Sequence, residues 1–215
     1  VPSPDRVEPP CPVYDRCGGC SGQHMRYEAT LAAKRTQVYD CLTRIGGLPL
    51  HLEDVPPVLG AQNPWHCRNK TALPVGGTAD APVLGFYRRR SHQIVPIDDC
   101  PVAMGGLTGV IAAVKEWMRA ERVQPYDEKT GRGLLRHVVT RVSRAGSLMV
   151  VLTATRAKLP GVPRLVERLS ARAPGFCSLH VSVNAGRNNV ILGRESHRLY
   201  GEDAIFETLL GLTFE

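Results

Sequence analysis

Three cysteines crowded into ten residues constrain this chain more than any other feature. Cys11, Cys17 and Cys20 are separated by five and two residues, and Gly18 and Gly19 fill the CGGC gap. Glycines there permit tight turns and let backbone amides approach sulfur, so the segment reads as a loop built around thiolates. Three soft ligands are one short of a closed site. Cys100, in IDDCPV, is the preferred fourth: it follows an expected strand, and it precedes proline as Cys11 does. An iron-sulfur cluster is the leading reading, and a structural zinc site or uncoordinated thiols are the alternatives. The remaining cysteines, Cys41, Cys67 and Cys177, are expected to pack as small apolar side chains.

Seven cysteines is an odd number, and the chain starts VPSPDRVEPP with no signal-like apolar run, so a secreted disulfide framework fits poorly. No stretch approaches the length a membrane-spanning helix requires. A cytoplasmic, monomeric protein without a membrane partner is expected. Lys and Arg total 27 against 20 Asp and Glu, and 22 of those cations are arginine. Guanidinium groups clamp phosphate in a planar fork, so the composition is compatible with a nucleic-acid partner, although a solvated basic surface gives the same balance.

The expected organisation is α+β: an iron-sulfur loop region over residues 1–23, a helix and linker over 24–64, and an antiparallel β-rich domain with packed helices over 65–215. In the first helix Tyr27, Leu31, Val38, Leu42 and Ile45 recur near helical spacing, and Gly46-Gly47 end it. Strand-like runs are expected near 67–75, 83–87 and 93–97, then a helix with a clear apolar stripe from Leu107 to Met118. A hairpin around Ala145-Gly146, a helix from Pro163, and strands near 179–183 and 189–192 follow. The GLLGLTFE terminus still alternates like a strand, so both ends are read as cut from a longer polypeptide.

The segments CPVYDRCGGCSGQHMRYEATLAAKRTQV, WHCRNKTALPV, LGFYRRRSHQIVPIDDCPV, YDEKTGRGLLRHVVTRV and NNVILGRESHRLYGED, taken in order, resemble the iron-sulfur RNA uracil-5-methyltransferases that make 5-methyluridine in 23S ribosomal RNA. The resemblance implies a [4Fe-4S] cluster on Cys11, Cys17, Cys20 and Cys100, and ribosomal RNA as partner. It further implies that full-length members carry a Rossmann-like S-adenosylmethionine domain, a nucleophilic cysteine and an acidic base beyond the region seen here. On that basis no catalytic or S-adenosylmethionine-binding residue is expected in this chain. It is expected to be the inactive iron-sulfur and RNA-recognition portion, truncated before the methyltransferase domain, with its early helix docking on that domain. A non-catalytic iron-sulfur or zinc RNA-binding module is the alternative.

Holding RNA while a base is splayed out is work for basic and amide side chains. The candidates are Arg68, Asn69 and Lys70 in WHCRNK, the Arg88, Arg89, Arg90 triplet, and Arg136 beside His137. Strand alternation predicts Arg68 and Lys70 on one face with Asn69 turned inward. The bland reading of Arg136 is an ion pair with Asp127 or Glu128, and that of the triplet is a solvated turn.

Overall fold

The computed structural model describes residues 3–215. The chain divides into two units, Val1–Pro64 and Trp65–Glu215.

In the first unit the proline-rich lead-in is clipped back onto the chain that follows the cysteine loop. Arg6 bridges Met25, the Val7 amide donates to the His24 carbonyl at 3.0 Å, and Arg26 ion-pairs with Asp5. Helix α1 (Tyr27–Asp40) then runs on through a π-turn at Cys41–Ile45. Gly47, at φ 67°, adopts the left-handed conformation that ends it, as its position predicts. The expected apolar stripe is not a core face. No residue of α1 is buried, and Ile45 is 84% exposed. Polar contacts hold the helix instead: Arg35 donates to the carbonyls of Leu52 and Val55 at 2.9 and 2.7 Å, and the Tyr27 hydroxyl accepts from the Ala61 amide.

The second unit is organised by one sheet. Its strands are β1 (Lys70–Gly77), β2 (Pro82–Tyr87), β3 (Ile94–Pro96), β4 (Leu135–Val142), β5 (Leu148–Ala154), β6 (Phe176–Val183) and β7 (Glu195–Gly201). They lie in the order β3-β2-β1-β4-β5-β6-β7. Two helices, α2 (Leu107–Ala120) and α3 (Val162–Arg172), pack on each other, α2 also against β2 and α3 against β6. The α2 stripe is buried as its spacing predicts, from Leu107 through Val110, Ile111 and Val114 to Trp117 and Met118. Each large side chain so buried stabilises the fold by roughly 1.5–3 kcal/mol. Trp117 buries its ring and satisfies its indole N–H on the Pro160 carbonyl at 2.9 Å. A side chain at Gly109 would sit 2.0 Å from the Arg172 carbonyl oxygen, so glycine there permits the close crossing of the two helices.

The expectation of a domain built only on antiparallel hairpins is corrected. The sheet is mixed, because β5 and β6 are parallel. The physical cause is α3 between them: a hairpin turn reverses the chain, whereas an intervening helix returns it to run in the same direction. The strand expected near 189–192 is also absent, and pairing resumes with β7 at Glu195. The hairpin β8 (Glu207–Leu209) to β9 (Leu212–Phe214) forms a separate two-stranded ribbon. Among the described residues no helix is long and apolar enough to cross a membrane.

Candidate functional site

The cysteine loop of the first unit is a run of tight turns. Tyr14 N–H donates to the Cys11 carbonyl, Cys17 N–H to Val13, and Gly19 N–H to the Cys17 sulfur at 3.4 Å. An amide aimed at sulfur is the contact that favours a thiolate. The Tyr14 hydroxyl and His24 Nδ1, 2.6 Å apart, pin the loop to the start of the helical segment. Cys17 is buried, while Cys11 and Cys20 are half-buried. Cys100 is buried in the second unit, in a turn closed by the Ala103 amide on its carbonyl at 3.0 Å. The donor chemistry fits a thiolate-held metal group. Among the described residues, however, no three Cys, His, Asp or Glu side chains are gathered as a metal site. The packing expected of the other cysteines is corrected: Cys41 and Cys67 are exposed and Cys177 is half-buried. Cys41 lies on a helix with no core face, and Cys67 precedes the first strand rather than joining it.

The basic candidates occupy different settings. Arg68 is half-buried in a backbone bridge to Ala103, before β1 begins. Asn69 is exposed rather than turned inward, since the alternation starts only at Lys70; its carbonyl accepts the Val142 amide at 2.8 Å. Lys70 opens β1, exposed, and its cross-strand partner is the exposed Arg141. Two cations directly opposed on a sheet repel, so this pair is a position that an anion would stabilise. Arg141 was not among the residues picked out by the strand pattern. Arg88, Arg89 and Arg90 are all exposed in the β2–β3 turn, with Arg90 at φ 55°.

Arg136 is different. It is 5% exposed and donates to the carbonyls of Asn184, Gly186 and Asn188 at 2.9, 2.6 and 3.1 Å. Its guanidinium carbon lies 4.4 Å from the centre of the Tyr126 ring. The plainer alternative, an ion pair with Asp127 or Glu128, is not made among the described residues. The side chain fastens the 184–188 loop.

A cavity of about 310 Å³ opens beside this arginine. The irregularity in β4 between Leu135 and His137 lets consecutive residues Arg136 and His137 both line it. The β2–β3 hairpin contributes Tyr87, His92 and Ile94, and the 125–129 segment contributes Tyr126 and Glu128. A side chain at Gly133 (φ 111°) would meet the Pro125 carbonyl at 2.0 Å, so glycine allows the chain to double back and form this wall. The Tyr87 and His92 rings lie 5.1 Å apart. Glu128 joins them, with His92 Nδ1 at 2.7 Å and the Tyr87 hydroxyl donating at 3.4 Å. Burial, and then the Glu128 charge, push the Tyr87 phenol up to about 12. Burial, and then the Arg136 charge, push His137 down to about 4, so its imidazole is neutral at pH 7. Its Nδ1 is buried without a hydrogen-bond partner among the described residues. With a phenol, a neutral imidazole, a carboxylate and two π faces, the cavity is equipped to bind a flat polar group.

No family model matches the chain. It is 42% identical over 213 residues to an uncharacterized RNA methyltransferase of Halalkalibacterium halodurans, covering 99% of this chain and 46% of that protein. It is 39% identical over 215 residues to another from Clostridium tetani, covering 100% and 46%. Among solved structures it is similar to the Pyrococcus abyssi tRNA (uracil-54, C5)-methyltransferase in complex with S-adenosyl-L-homocysteine. That likeness has a TM-score of 0.72 at 26% identity and covers 99% of this chain and 46% of that one. The chain thus spans about half the length of the curated relatives it matches.

These likenesses correct the expectation of an iron-sulfur recognition portion cut off before methyltransferase sequence begins. Along 99% of its length the chain is similar to a solved methyltransferase, of which it covers 46%. The expectation that it is inactive as a fragment has no support in these likenesses.

Proposed function

We propose that this chain serves an S-adenosylmethionine-dependent RNA methyltransferase that modifies C5 of a uracil. The observation that carries the reading is the likeness along 99% of the chain to a uracil-C5 methyltransferase at a TM-score of 0.72. RNA methyltransferases at 39–42% identity support the RNA substrate.

In this reading the sulfonium donor supplies the methyl group, and the residues described here act on the RNA. Lys70 and Arg141, opposed across β1 and β4, hold a phosphate that relieves their mutual repulsion. Arg68, Asn69 and the exposed Arg88, Arg89 and Arg90 extend the grip along the backbone. Arg136 acts at one remove, by fastening the 184–188 loop and stacking on Tyr126. Cys11, Cys17 and Cys20 would supply thiolates to an iron-sulfur cluster, for which their donor set and the Gly19 N–H on Cys17 sulfur are the support. Methyl transfer from a sulfonium is redox-neutral, so the cluster's contribution is structural, by cross-linking loops that a small unit cannot otherwise stabilise.

Disrupting the gene and digesting ribosomal and transfer RNA separately to nucleosides tests the reading. Loss of 5-methyluridine from one RNA class is expected, and that class is the substrate. Unchanged 5-methyluridine in both would overturn it.

A further inference from the structure

We infer that the cavity between the β2–β3 hairpin, residues 125–129 and Arg136–His137 captures a second RNA base, one bearing an exocyclic amino group, distinct from the uracil that is methylated. The inference rests on the RNA reading above and adds what this particular cavity selects.

Two features argue for a base rather than a phosphate. The cavity presents flat rings, Tyr87 and His92 on one wall and Tyr126 backed by Arg136 on another. Aromatic and guanidinium faces stack bases regardless of sequence. Its accessible charges are the carboxylates of Asp127 and Glu128 and the single ammonium of Lys129, a balance that disfavours phosphate. Arg136, a buried cation of the lining, spends its Nη atoms on three backbone carbonyls, and its Nε is itself buried.

The polar groups then choose among bases. A carboxylate only accepts hydrogen bonds, and it has about four lone-pair sites. Glu128 uses two, for His92 and Tyr87, and retains capacity for further donors. The amino groups of cytosine, adenine and guanine supply such donors, as in the pairing of acidic side chains with the cytosine amino group. Uracil carries a carbonyl oxygen where cytosine carries its amino group, which opposes a carboxylate and leaves the ring N3–H as its one donor on that edge. His137, 9% exposed and lining the cavity with an unsatisfied Nδ1, is a further polar point that the fold itself does not use. A buried polar atom left without a partner is costly, so its retention points to a ligand that completes it.

The test uses the 215-residue chain and short single-stranded oligouridines that carry uridine, cytidine, adenosine or guanosine at one central position, with affinity read by fluorescence anisotropy at fixed salt. At least one amino-bearing oligonucleotide is expected to bind about tenfold more tightly than all-uridine RNA, the low end for a good base contact. Glu128→Gln, which replaces one acceptor with a donor, is expected to bring the two within about twofold. Tyr87→Leu is expected to abolish the fluorescence quenching of a central 2-aminopurine. Salt-dependent binding with no base preference would overturn the base-capture proposal and leave the RNA reading standing. A preference that survives Glu128→Gln would also overturn it. Failure of every oligonucleotide to bind would overturn both.

Discussion

Acidification acts on His137 more selectively than on any other residue of the second unit. In the folded chain its imidazole titrates at about 4, because burial and the neighbouring Arg136 both disfavour the cation. In the unfolded chain it titrates near 6.5. Between those values the unfolded state binds a proton that the folded state refuses, so stability rises with pH across the window. The contribution is fully present above about pH 6.5 and is lost as pH falls toward 4. At about 1.4 kcal/mol for each pH unit, the gap amounts to roughly 3 kcal/mol, a large share of a typical domain's stability. The groups facing this ring are Arg136, which opposes the proton, and Glu128, which favours it. Urea unfolding followed by tryptophan fluorescence checks the figure, since Trp65 and Trp117 both lie in this unit. The comparison is between wild type and His137→Met, which fills a similar volume without a titrating group. Carboxylates titrate in both proteins and cancel in the difference. A difference between the two that changes by about 3 kcal/mol from pH 7 to pH 4 is expected. Identical pH slopes in the two proteins would refute the reasoning.

Other perturbations follow from the same contacts. Arg136→Met removes donors from three carbonyls and is expected to destabilise the second unit by about 3 kcal/mol or more, with loss of hydrogen-exchange protection confined first to residues 184–190. Lys70→Gln and Arg141→Gln are each expected to lower the slope of log affinity against log salt for RNA by about 1, while a neutral change at a residue that contacts no phosphate leaves it unmoved. Anaerobic purification is expected to give a brown protein with visible absorbance that Cys17→Ser and Cys20→Ser each abolish; a colourless protein holding one zinc per chain would replace the cluster with a structural zinc site.

Local features were legible in the sequence, and non-local ones were not. The α2 stripe from Leu107 to Met118 and the Gly146 turn between β4 and β5 are set by residues within a few positions of each other, and both are found where spacing places them. The α1 stripe shows the limit of the same logic. Val38, Leu42 and Ile45 have helical spacing and form a helical segment, but spacing says nothing about whether a partner covers the face. Sheet order has a similar status, since β1 pairs with β4 across a segment that contains β2, β3 and α2. The parallel β5–β6 pair was missed because a strand's own pattern does not record the direction of its neighbour. Arg136 looked like a phosphate ligand by composition, yet its acceptors lie 48 to 52 residues further along the chain. The cavity was invisible for the same reason. Its walls come from four separated segments, and His92 and Tyr87 had no reason to be read together until the hairpin brought them together.

The turn from Tyr87 to His92 connects two tasks that RNA recognition normally distributes. Phosphate contacts position a nucleic acid and carry no sequence information, whereas base contacts specify it. Here Tyr87 and His92 line the cavity, and the three arginines between them are exposed. A nucleotide has the same layout, with its phosphates flanking a base on either side. In the base-capture reading the exposed Arg88, Arg89 and Arg90 are available to the phosphates that flank the base, and the Glu128 carboxylate disfavours a phosphate in the base's place. Neutralising the arginines should then weaken all RNAs alike, while replacing Glu128 should alter the ranking among them. That contrast separates grip by the arginines of the turn from selection by Glu128 beside it.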